Sequence, residues 1–458
     1  MPPRWVRIAY GVSDVGASTA FVAVNAWLLY LLVNAAGVPP AWAAGVFVAG
    51  RALDAFLDPA VGWWGDRLAP RFGRLRFVRW GAVPTGLALA ALFAVPPRLE
   101  DGAAVAALAL FALTSLAYTL VQVPVLALTP ELAPGYQDRT ELGAWRAAFG
   151  TVASLVATAL PPALVLLGEG GGGLAQAGAE GWTLAGVVLG TVVTGAYLTT
   201  GLLVPEPVRA QRPVPVESPF AAVRSAWTAP GMRTVVASFA LVTVGLMVTS
   251  SVLPFVLESA LLLPASWLTP VLGGFFGIGV AAFPFWTRAA DAAGKGPTLA
   301  WACVVLAASL AALAAFAPEG RLGVGLWLPA ATAGWALAGA LLMPWAMLPD
   351  VVEFEEARSG VRREGTVVGL FTFVQKLAGS AGVFATGMAA AWTGYRPGMV
   401  EQSDATVIGL RLALGVVAPL AFLAAAWVAS RGVIDRDRFE ATVRSLRSDP
   451  MGPERDRS

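Results

Sequence analysis

The chain has 458 residues, of which 57% are hydrophobic and 13% charged, and its formal net charge is +2. Soluble domains carry about 25% charged residues, so most side chains here face lipid or one another. Histidine is absent and Cys303 is the single cysteine, which excludes an intramolecular disulfide, a Cys/His metal site and histidine-based catalysis. We therefore expect no enzyme, and nothing in the charge indicates nucleic-acid binding.

Twelve mostly apolar stretches follow one another along the chain, each close to the length of about 20 residues that a membrane-spanning helix needs. The segment 205–232 is rich in Pro and Arg and is predicted to link an N-terminal half, 1–204, to a C-terminal half, 233–431. The charged segment 432–458 is predicted to be a cytoplasmic tail. The twelve stretches are 8–35, 40–65, 79–97, 103–128, 144–167, 181–204, 233–257, 265–288, 297–318, 322–348, 366–393 and 404–431.

The distribution of Lys and Arg predicts the orientation. With the N-terminus inside, the odd-numbered loops contain only Arg98, Arg321 and Arg396. The even-numbered loops contain many more, which are Arg67, Arg71, Arg74, Arg76, Arg139, Arg209, Arg212, Arg224, Lys295, Arg358, Arg362 and Arg363. Cytoplasmic loops are enriched in these residues, so we predict a multi-pass protein of the cell inner membrane with both termini in the cytoplasm. We recognise no cleaved signal peptide, so the first helix is expected to remain.

Two six-helix halves joined by a basic linker are typical of the major facilitator fold, an all-α membrane architecture that binds its substrate between the halves and works by alternating access. A non-transporting receptor or scaffold is an alternative from another class. No GxxxxGK[ST] motif occurs, so the chain lacks the nucleotide-binding loop that ATP-driven transport requires. Coupling to an ion gradient is therefore favoured. We expect a monomer in the lipid bilayer.

The stretch RALDAFLDP in the second helix contains Asp54 and Asp58, which share one helix face because they are four residues apart. Carboxylates inside a membrane are costly and usually functional. Two of them repel unless a cation lies between them, and oxygen ligands suit a small hard ion. The alternative is a structural salt bridge with Arg51 or with a basic residue of another helix.

Two basic residues also fall inside helices. Lys376 lies about 15 Å from the start of the eleventh helix, close to the membrane midplane and in the opposite half from the aspartates. It is predicted to approach the carboxylates in one state and release them in another, or to attract an anionic substrate group. Arg146 begins the fifth helix and is predicted to pair with the aspartates, to bind an anion or to anchor the helix, whereas Asp14 is predicted to brace the first helix.

Charged clusters in two predicted cytoplasmic loops form a candidate gate that bridges the halves in the outward-open state. The alternative is that both loops are simply solvated. The gate residues are Asp66, Arg67, Arg71, Asp350, Glu353 and Arg363.

The chain resembles the glycoside–pentoside–hexuronide:cation symporter family over nearly its whole length. The resemblance rests on YGVSDVG, GRALDAFLDPAVGWWGDR, VQVPVLALTPELAP, MLPDVVEFEEARSGVRREG and FTFVQKLAGSAG. It implies that Asp54 and Asp58 bind sodium with help from Thr119, that Lys376 is the coupling lysine, and that Arg146 is the helix 5 arginine. Protons or lithium remain alternatives to sodium.

Melibiose-type members hold sugar with two aspartates and a tryptophan, and the matching positions here are Ser18, Gln122 and Leu126. The stretches QVPVLALT and LMPWAMLPDV look more like the sodium-dependent lysophosphatidylcholine symporters of the same superfamily. An apolar cavity suits an acyl chain, and Lys376 with Arg146 suits a phosphate. The leading hypothesis is therefore sodium-coupled symport of a lysophospholipid such as lysophosphatidylcholine, and the alternative is cation-coupled symport of a sugar or glycoside.

Overall fold

The computed structural model describes residues 3–99, 102–133, 136–169, 174, 177–206, 227–228, 231–359, 364–399 and 401–431. For some of these, including 62–72, it describes the backbone alone. Most of the predicted linker and the whole predicted tail, 432–458, lie outside these ranges, so both assignments stay predictions.

Twelve long helices account for nearly all of the described chain, which confirms the predicted all-α fold. We number them α1 to α12. Ten of them are long and apolar enough to cross a membrane, judged by length and composition, and α2 and α11 complete the set. Their bounds are α1 Arg4–Ala35, α2 Pro40–Phe72, α3 Arg74–Ala94, α4 Ala103–Leu132, α5 Tyr136–Glu169, α6 Ala179–Leu203, α7 Met232–Ala260, α8 Leu268–Ala293, α9 Lys295–Phe316, α10 Val324–Ser359, α11 Glu364–Trp392 and α12 Asp404–Ser430.

Several helices are longer than the hydrophobic stretches that predict them. The helix α2 continues to Phe72 and α10 to Ser359, and α5 already begins at Tyr136. Hydropathy marks the part of a helix that lies in hydrocarbon, whereas helical hydrogen bonding continues into charged sequence. These extensions all lie at the end of the bundle that carries the even-numbered loops, which we call the inner end. The opposite end, with the odd-numbered loops, is the outer end.

The helices pack as two bundles. In the first, α1 contacts α5 and α6, α3 contacts α4 and α6, and α2 contacts α4. In the second, α7 contacts α11 and α12, α9 contacts α10 and α12, and α8 contacts α10. The principal contacts between the bundles join α2 to α11, α5 to α8 and α1 to α7. This is the arrangement of the major facilitator fold, in which a substrate binds between the two halves.

The outer ends of α1 and α7 have the same backbone geometry. Each helix finishes in a π-helical turn, Leu31–Ala35 in α1 and Val256–Ala260 in α7, where hydrogen bonds run from residue i to i+5. A left-handed residue follows each turn, Gly37 with φ +64° and Leu262 with φ +51°. The two halves therefore share a structural repeat that the hydrophobic pattern does not reveal. Such π-turns are rare and frequent at functional sites.

The described outer end is closed by contacts between the halves. The Tyr30 hydroxyl on α1 donates a hydrogen bond to the buried Glu258 carboxyl on α7. The Tyr395 hydroxyl, which follows α11, donates to Asn34 Oδ1 on α1 at 2.8 Å. Close packing at Gly387 brings α11 against Pro40 at the start of α2. Within the described residues, access to the space between the halves is therefore obstructed at the outer end.

Candidate ion-coupling site between the halves

The Asp54 carboxylate is the centre of the site. It is 2% exposed on α2, and its Oδ2 lies 3.0 Å from Lys376 Nζ on α11 and 3.3 Å from Arg51 Nη1. The Lys376 contact crosses from one half to the other, in agreement with the predicted approach of this lysine to the helix 2 carboxylates. The other oxygen, Asp54 Oδ1, is buried without a hydrogen-bond partner among the described groups. A buried acceptor of this kind is costly unless a ligand satisfies it.

Arg51 is held firmly within the N-terminal half. Its Nη2 donates to Asn25 Oδ1 at 3.0 Å, and its guanidinium lies 5.0 Å from the centre of the Phe21 ring and 5.6 Å from that of Phe111. Cation–π contacts of this length stabilise a desolvated arginine. The salt bridge between Asp54 and Arg51, which the sequence left as an alternative, is therefore present. It exists together with the Lys376 contact rather than instead of it.

The remaining residues of the predicted sodium site are only partly described. Thr119 is 1% exposed on α4, and α4 packs against α2. The Asp58 side chain lies outside what the structure describes. No group of three or more acidic, His or Cys residues suitable for a metal occurs among the described side chains. The sodium site therefore remains a prediction.

Arg146 pairs with Asp14 in this conformation. Arg146 Nη2 lies 3.1 Å from Asp14 Oδ1, and Nε donates to Oδ2, so the pair joins α5 to α1 with two bonds. The guanidinium is also 5.8 Å from the centre of the Tyr10 ring. The sequence offered the helix 2 aspartates or an anion as partners of Arg146 and did not foresee Asp14. Both side chains retain some exposure, 20% for Arg146 and 15% for Asp14.

Three positions are matched to a sugar site by the resemblance described above, and one of them, Ser18, lies beside this ion pair. Ser18 follows Asp14 by one helical turn, and both face Gly150 on α5. Gln122 on α4 accepts a hydrogen bond of 3.3 Å from the Tyr197 hydroxyl on α6. Leu126, one turn further, is 46% exposed. Tyr197 was missed by the sequence analysis because nothing in the apolar pattern of the sixth helix distinguishes a tyrosine that faces the bundle interior.

The predicted cytoplasmic gate is described only in part. Asp350 on α10 pairs with Lys295 at the start of α9, 2.7 Å away and in the same half. Glu353 lies one turn after Asp350 in α10. The side chains of Asp66, Arg67, Arg71 and Arg363 lie outside what the structure describes. Asp350 is thus held within its own half in this conformation, and a bridge to the other half stays a prediction.

Residues 9–436 match the family described as "MFS/sugar transport protein". The chain belongs to this family. Its members span the membrane many times and move solutes, so the chain is a multi-pass membrane transporter rather than an enzyme. The predicted resemblance is thereby confirmed at the level of the superfamily and its sugar-transport branch.

Relatives in the family are similar over most of their length. A "Putative glycoside/cation symporter YagG" of Escherichia coli is 24% identical over 443 residues, which cover 96% of this chain and 94% of the relative. The "Isoprimeverose transporter" of Lactiplantibacillus pentosus is 23% identical, covering 88% and 84%. A "Putative 2,3-dihydroxypropane-1-sulfonate exporter" of Salmonella typhimurium is 28% identical, covering 88% and 87%.

Solved structures share the fold. A bacterial homologue of the lysosomal transporter Spinster, in an inward-facing and unoccupied conformation, aligns with a TM-score of 0.70 at 16% identity and covers 99% of this chain and 100% of that one. The inward-open xylose transporter XylE of E. coli aligns with a TM-score of 0.64 at 15% identity, covering 96% and 98%. At these identities the likeness concerns the fold alone.

Proposed function

We propose that the protein is a cation-coupled symporter of a glycoside or a similar polyhydroxylated solute, and that it works by alternating access. The observation that carries the proposal is the contact of Lys376 with Asp54 across the two halves. Lys376 Nζ lies 3.0 Å from Asp54 Oδ2, and the Asp54 side chain is 3% exposed. The same carboxylate is the best candidate to bind the coupling cation. The Lys376 ammonium and a cation would compete for this one buried carboxylate. Binding of the cation would therefore remove a contact between the two halves.

The coupling follows from charge balance. In the conformation described, Lys376 and Arg51 compensate the charge of Asp54 through Oδ2, while Oδ1 has no described hydrogen-bond partner. A sodium ion that enters takes over Asp54, with Oδ1 as a ready ligand, and releases Lys376 from the N-terminal half. Sodium is preferred because carboxylate and hydroxyl oxygens are hard ligands. A proton neutralises the carboxylate in the same way, and lithium suits the same oxygens.

The choice of substrate rests on the relatives and on the polar groups near the site. Two of the relatives named above are described as a putative glycoside/cation symporter and as an isoprimeverose transporter. Asp14, Arg146 and Gln122 present charged or amide groups that hydrogen-bond hydroxyl groups well. These features favour a sugar over the lysophospholipid that the sequence placed first, for which the relatives named above offer no support.

Transport by purified protein in proteoliposomes tests the proposal. We expect uptake of at least one member of a panel of methyl glycosides to rise with an inward sodium gradient. In Asp54→Asn the uptake should lose its sodium dependence, whereas the matched change at the exposed Asp404, Asp404→Asn, should keep it.

Three results contradict the proposal in different ways. Sodium-dependent uptake that persists in Asp54→Asn removes the ion-site assignment. Flux of lysophosphatidylcholine without any glycoside flux restores the lipid hypothesis. A wild-type protein that moves neither class under sodium, lithium or proton gradients removes both substrate classes.

A further inference from the structure

The helices α3 and α9 begin in the same way, each at the inner end of its own half. Each follows a glycine with positive φ, Gly73 with φ +81° and ψ 157° and Gly294 with φ +84° and ψ 157°. An exposed stripe then occupies the same four positions of each helix, so a chemical difference between the two stripes is informative. The stripe consists of Arg76, Trp80, Val83 and Leu87 in α3 and of Pro297, Trp301, Val304 and Ala308 in α9.

The stripe of α3 lies on the outside of the bundle. The opposite face of α3 packs against α4 and α6, so closely that a Cβ added at Gly86 would clash with the Gly190 carbonyl group on α6. The principal contacts between the halves, described above, run through α1, α2 and α5 of this half. Trp80, Val83 and Leu87 remain exposed along one face of this peripheral helix, so they are placed to contact lipid.

Two exposed arginines border this stripe at its inner end. Arg76 lies one turn from Trp80, and its guanidinium carbon is 5.9 Å from the centre of the indole ring. The Arg79 Nε donates a hydrogen bond to the Gly201 carbonyl oxygen on α6, which holds the guanidinium against the neighbouring helix. Within the described part of the chain, neither arginine forms an ion pair. Two positive charges are therefore fixed at the edge of a lipid-facing surface without a described counter-charge.

The matching positions in α9 are uncharged, although the tryptophan is kept as Trp301. Pro297 and Ala300 stand where α3 has its two arginines. The Trp301 ring packs instead against three other aromatic rings, with centres 4.9 to 5.8 Å away. An indole suits the membrane interface in both halves. The paired positive charge beside it is a property of the N-terminal half.

We propose that the inner end of α3 binds the head group of an anionic phospholipid, of which phosphatidylglycerol is the test case. A guanidinium presents paired N–H donors that match two phosphate oxygens, and its charge complements that of the lipid. Arg76 and Arg79 hold the phosphate at the interface, while the acyl chains lie along Trp80, Val83 and Leu87. Basic groups beside a transmembrane helix attract anionic lipids in this way. This site is separate from the space between the halves and does not depend on which substrate is transported.

Site-specific quenching by brominated lipids tests the proposal in the full-length protein. A bimane fluorophore is attached at Val83→Cys or at Val304→Cys, its counterpart in α9, in a protein whose natural cysteine is removed by Cys303→Ala. The protein is reconstituted in mixtures of phosphatidylcholine and phosphatidylglycerol with identical chains, and either lipid carries the bromine. At Val83 we expect phosphatidylglycerol to be preferred roughly 5- to 30-fold, since each arginine contributes about a factor of five. At Val304 the preference should be within about twofold of equal.

Arginine variants show whether the preference comes from the proposed site. Arg76→Gln should lower the preference at Val83 about fivefold, and the double variant with Arg79→Gln should reduce it to the value at Val304. Because Arg79 also contacts α6, thermal unfolding checks the double variant, and Arg76→Gln alone decides if that variant does not fold. Equal preferences at the two labels, or a preference at Val83 that survives Arg76→Gln, would overturn the site.

Inorganic phosphate distinguishes a lipid head group from a free anion. Replacing chloride by phosphate at constant ionic strength should leave the preference at Val83 unchanged, because a free ion lacks the acyl chains that pack along the stripe. Loss of the preference in phosphate would assign the two arginines to a soluble anion and would refute the lipid site.

Discussion

Replacing Lys376 by methionine tests whether this lysine and the coupling cation compete for Asp54. Methionine has a similar length and no charge, so the change removes the ammonium that lies 3.0 Å from Asp54 Oδ2. We expect two opposite effects, a tighter cation site and a slower transport cycle. Their combination distinguishes competition from a simple structural role.

The size of the first effect follows from the contact that is lost. A hydrogen bond between charged groups contributes about 1.5–3 kcal/mol, which a cation must overcome when it displaces the lysine. Removing the lysine should therefore raise sodium affinity by about 10- to 150-fold. We expect the lower part of this range, because Arg51 Nη1 still lies 3.3 Å from the same oxygen.

The second effect concerns the empty transporter. Without Lys376, Asp54 has lost one of its two described cationic partners whenever no cation is bound. Leaving a buried charge partly uncompensated costs up to about 3–5 kcal/mol, so the return of the empty carrier should slow. Exchange of internal for external substrate does not pass through that state and should continue while net uptake falls.

Binding of radioactive sodium to purified protein measures the first effect, and net uptake compared with exchange measures the second. Lys295→Met is the matched control, because Lys295 pairs with Asp350 at 2.7 Å inside a single half and should leave sodium affinity unchanged. Unchanged or weaker sodium binding in Lys376→Met would refute the competition.

Three further predictions concern the outer end. Tyr30→Phe removes the hydrogen bond to Glu258 and should increase the population open at the outer end by about 2- to 12-fold, as seen by distance measurements between spin labels. Burial raises the pKa of Tyr395 from 10.0 to about 12, so the folded protein keeps this proton longer than the unfolded chain. Stability should be fully present below about pH 10 and fall as pH rises toward 12, and thermal unfolding of Tyr395→Phe should show a smaller fall. Gly37→Leu should lower stability by about 1–2 kcal/mol, since a left-handed leucine is strained, while Leu262→Gly should be neutral or slightly stabilising.

Each of these predictions has its own control. The spin labels belong at Ala41 and Ser266, exposed positions near the outer ends of α2 and α8 in opposite halves, and identical distances in Tyr30→Phe and wild type would contradict the first. A pH profile that is the same with and without the Tyr395 hydroxyl would contradict the second. Nothing lies within 4 Å of a Cβ placed on Gly37, so a loss of stability there reports backbone strain rather than a clash.

The architecture could be predicted from the sequence because only long apolar helices cross the lipid bilayer readily. Long apolar stretches become spans, and a charge inside one is rare enough to mark a functional position. On that basis Asp54 and Lys376 were both selected as candidate site residues, and their contact is one of the two roles predicted for the lysine. The extensions of α2, α5 and α10 at the inner end were not predicted, since hydropathy measures contact with hydrocarbon and carries no information about helix in water.

Partners across helices were harder to predict, because they depend on how each helix is rotated about its axis. The pair of Arg146 with Asp14 requires α1 and α5 to turn particular faces toward each other, which neither sequence stretch determines alone. Tyr197 is a further example, since an aromatic residue in an apolar helix has the same local pattern whether it faces lipid, the core or a cavity.

The proposed substrate class shows why matching positions one by one is an unsafe guide. Ser18 and Leu126 lack the groups that the resemblance implies for a sugar site, and this absence favoured a lipid substrate. The structure places a carboxylate at Asp14, one turn before Ser18 and facing the same helix. A binding site requires chemical groups at points in space rather than at fixed positions in a sequence. When a neighbouring turn supplies the same group, a missing residue no longer argues against a substrate.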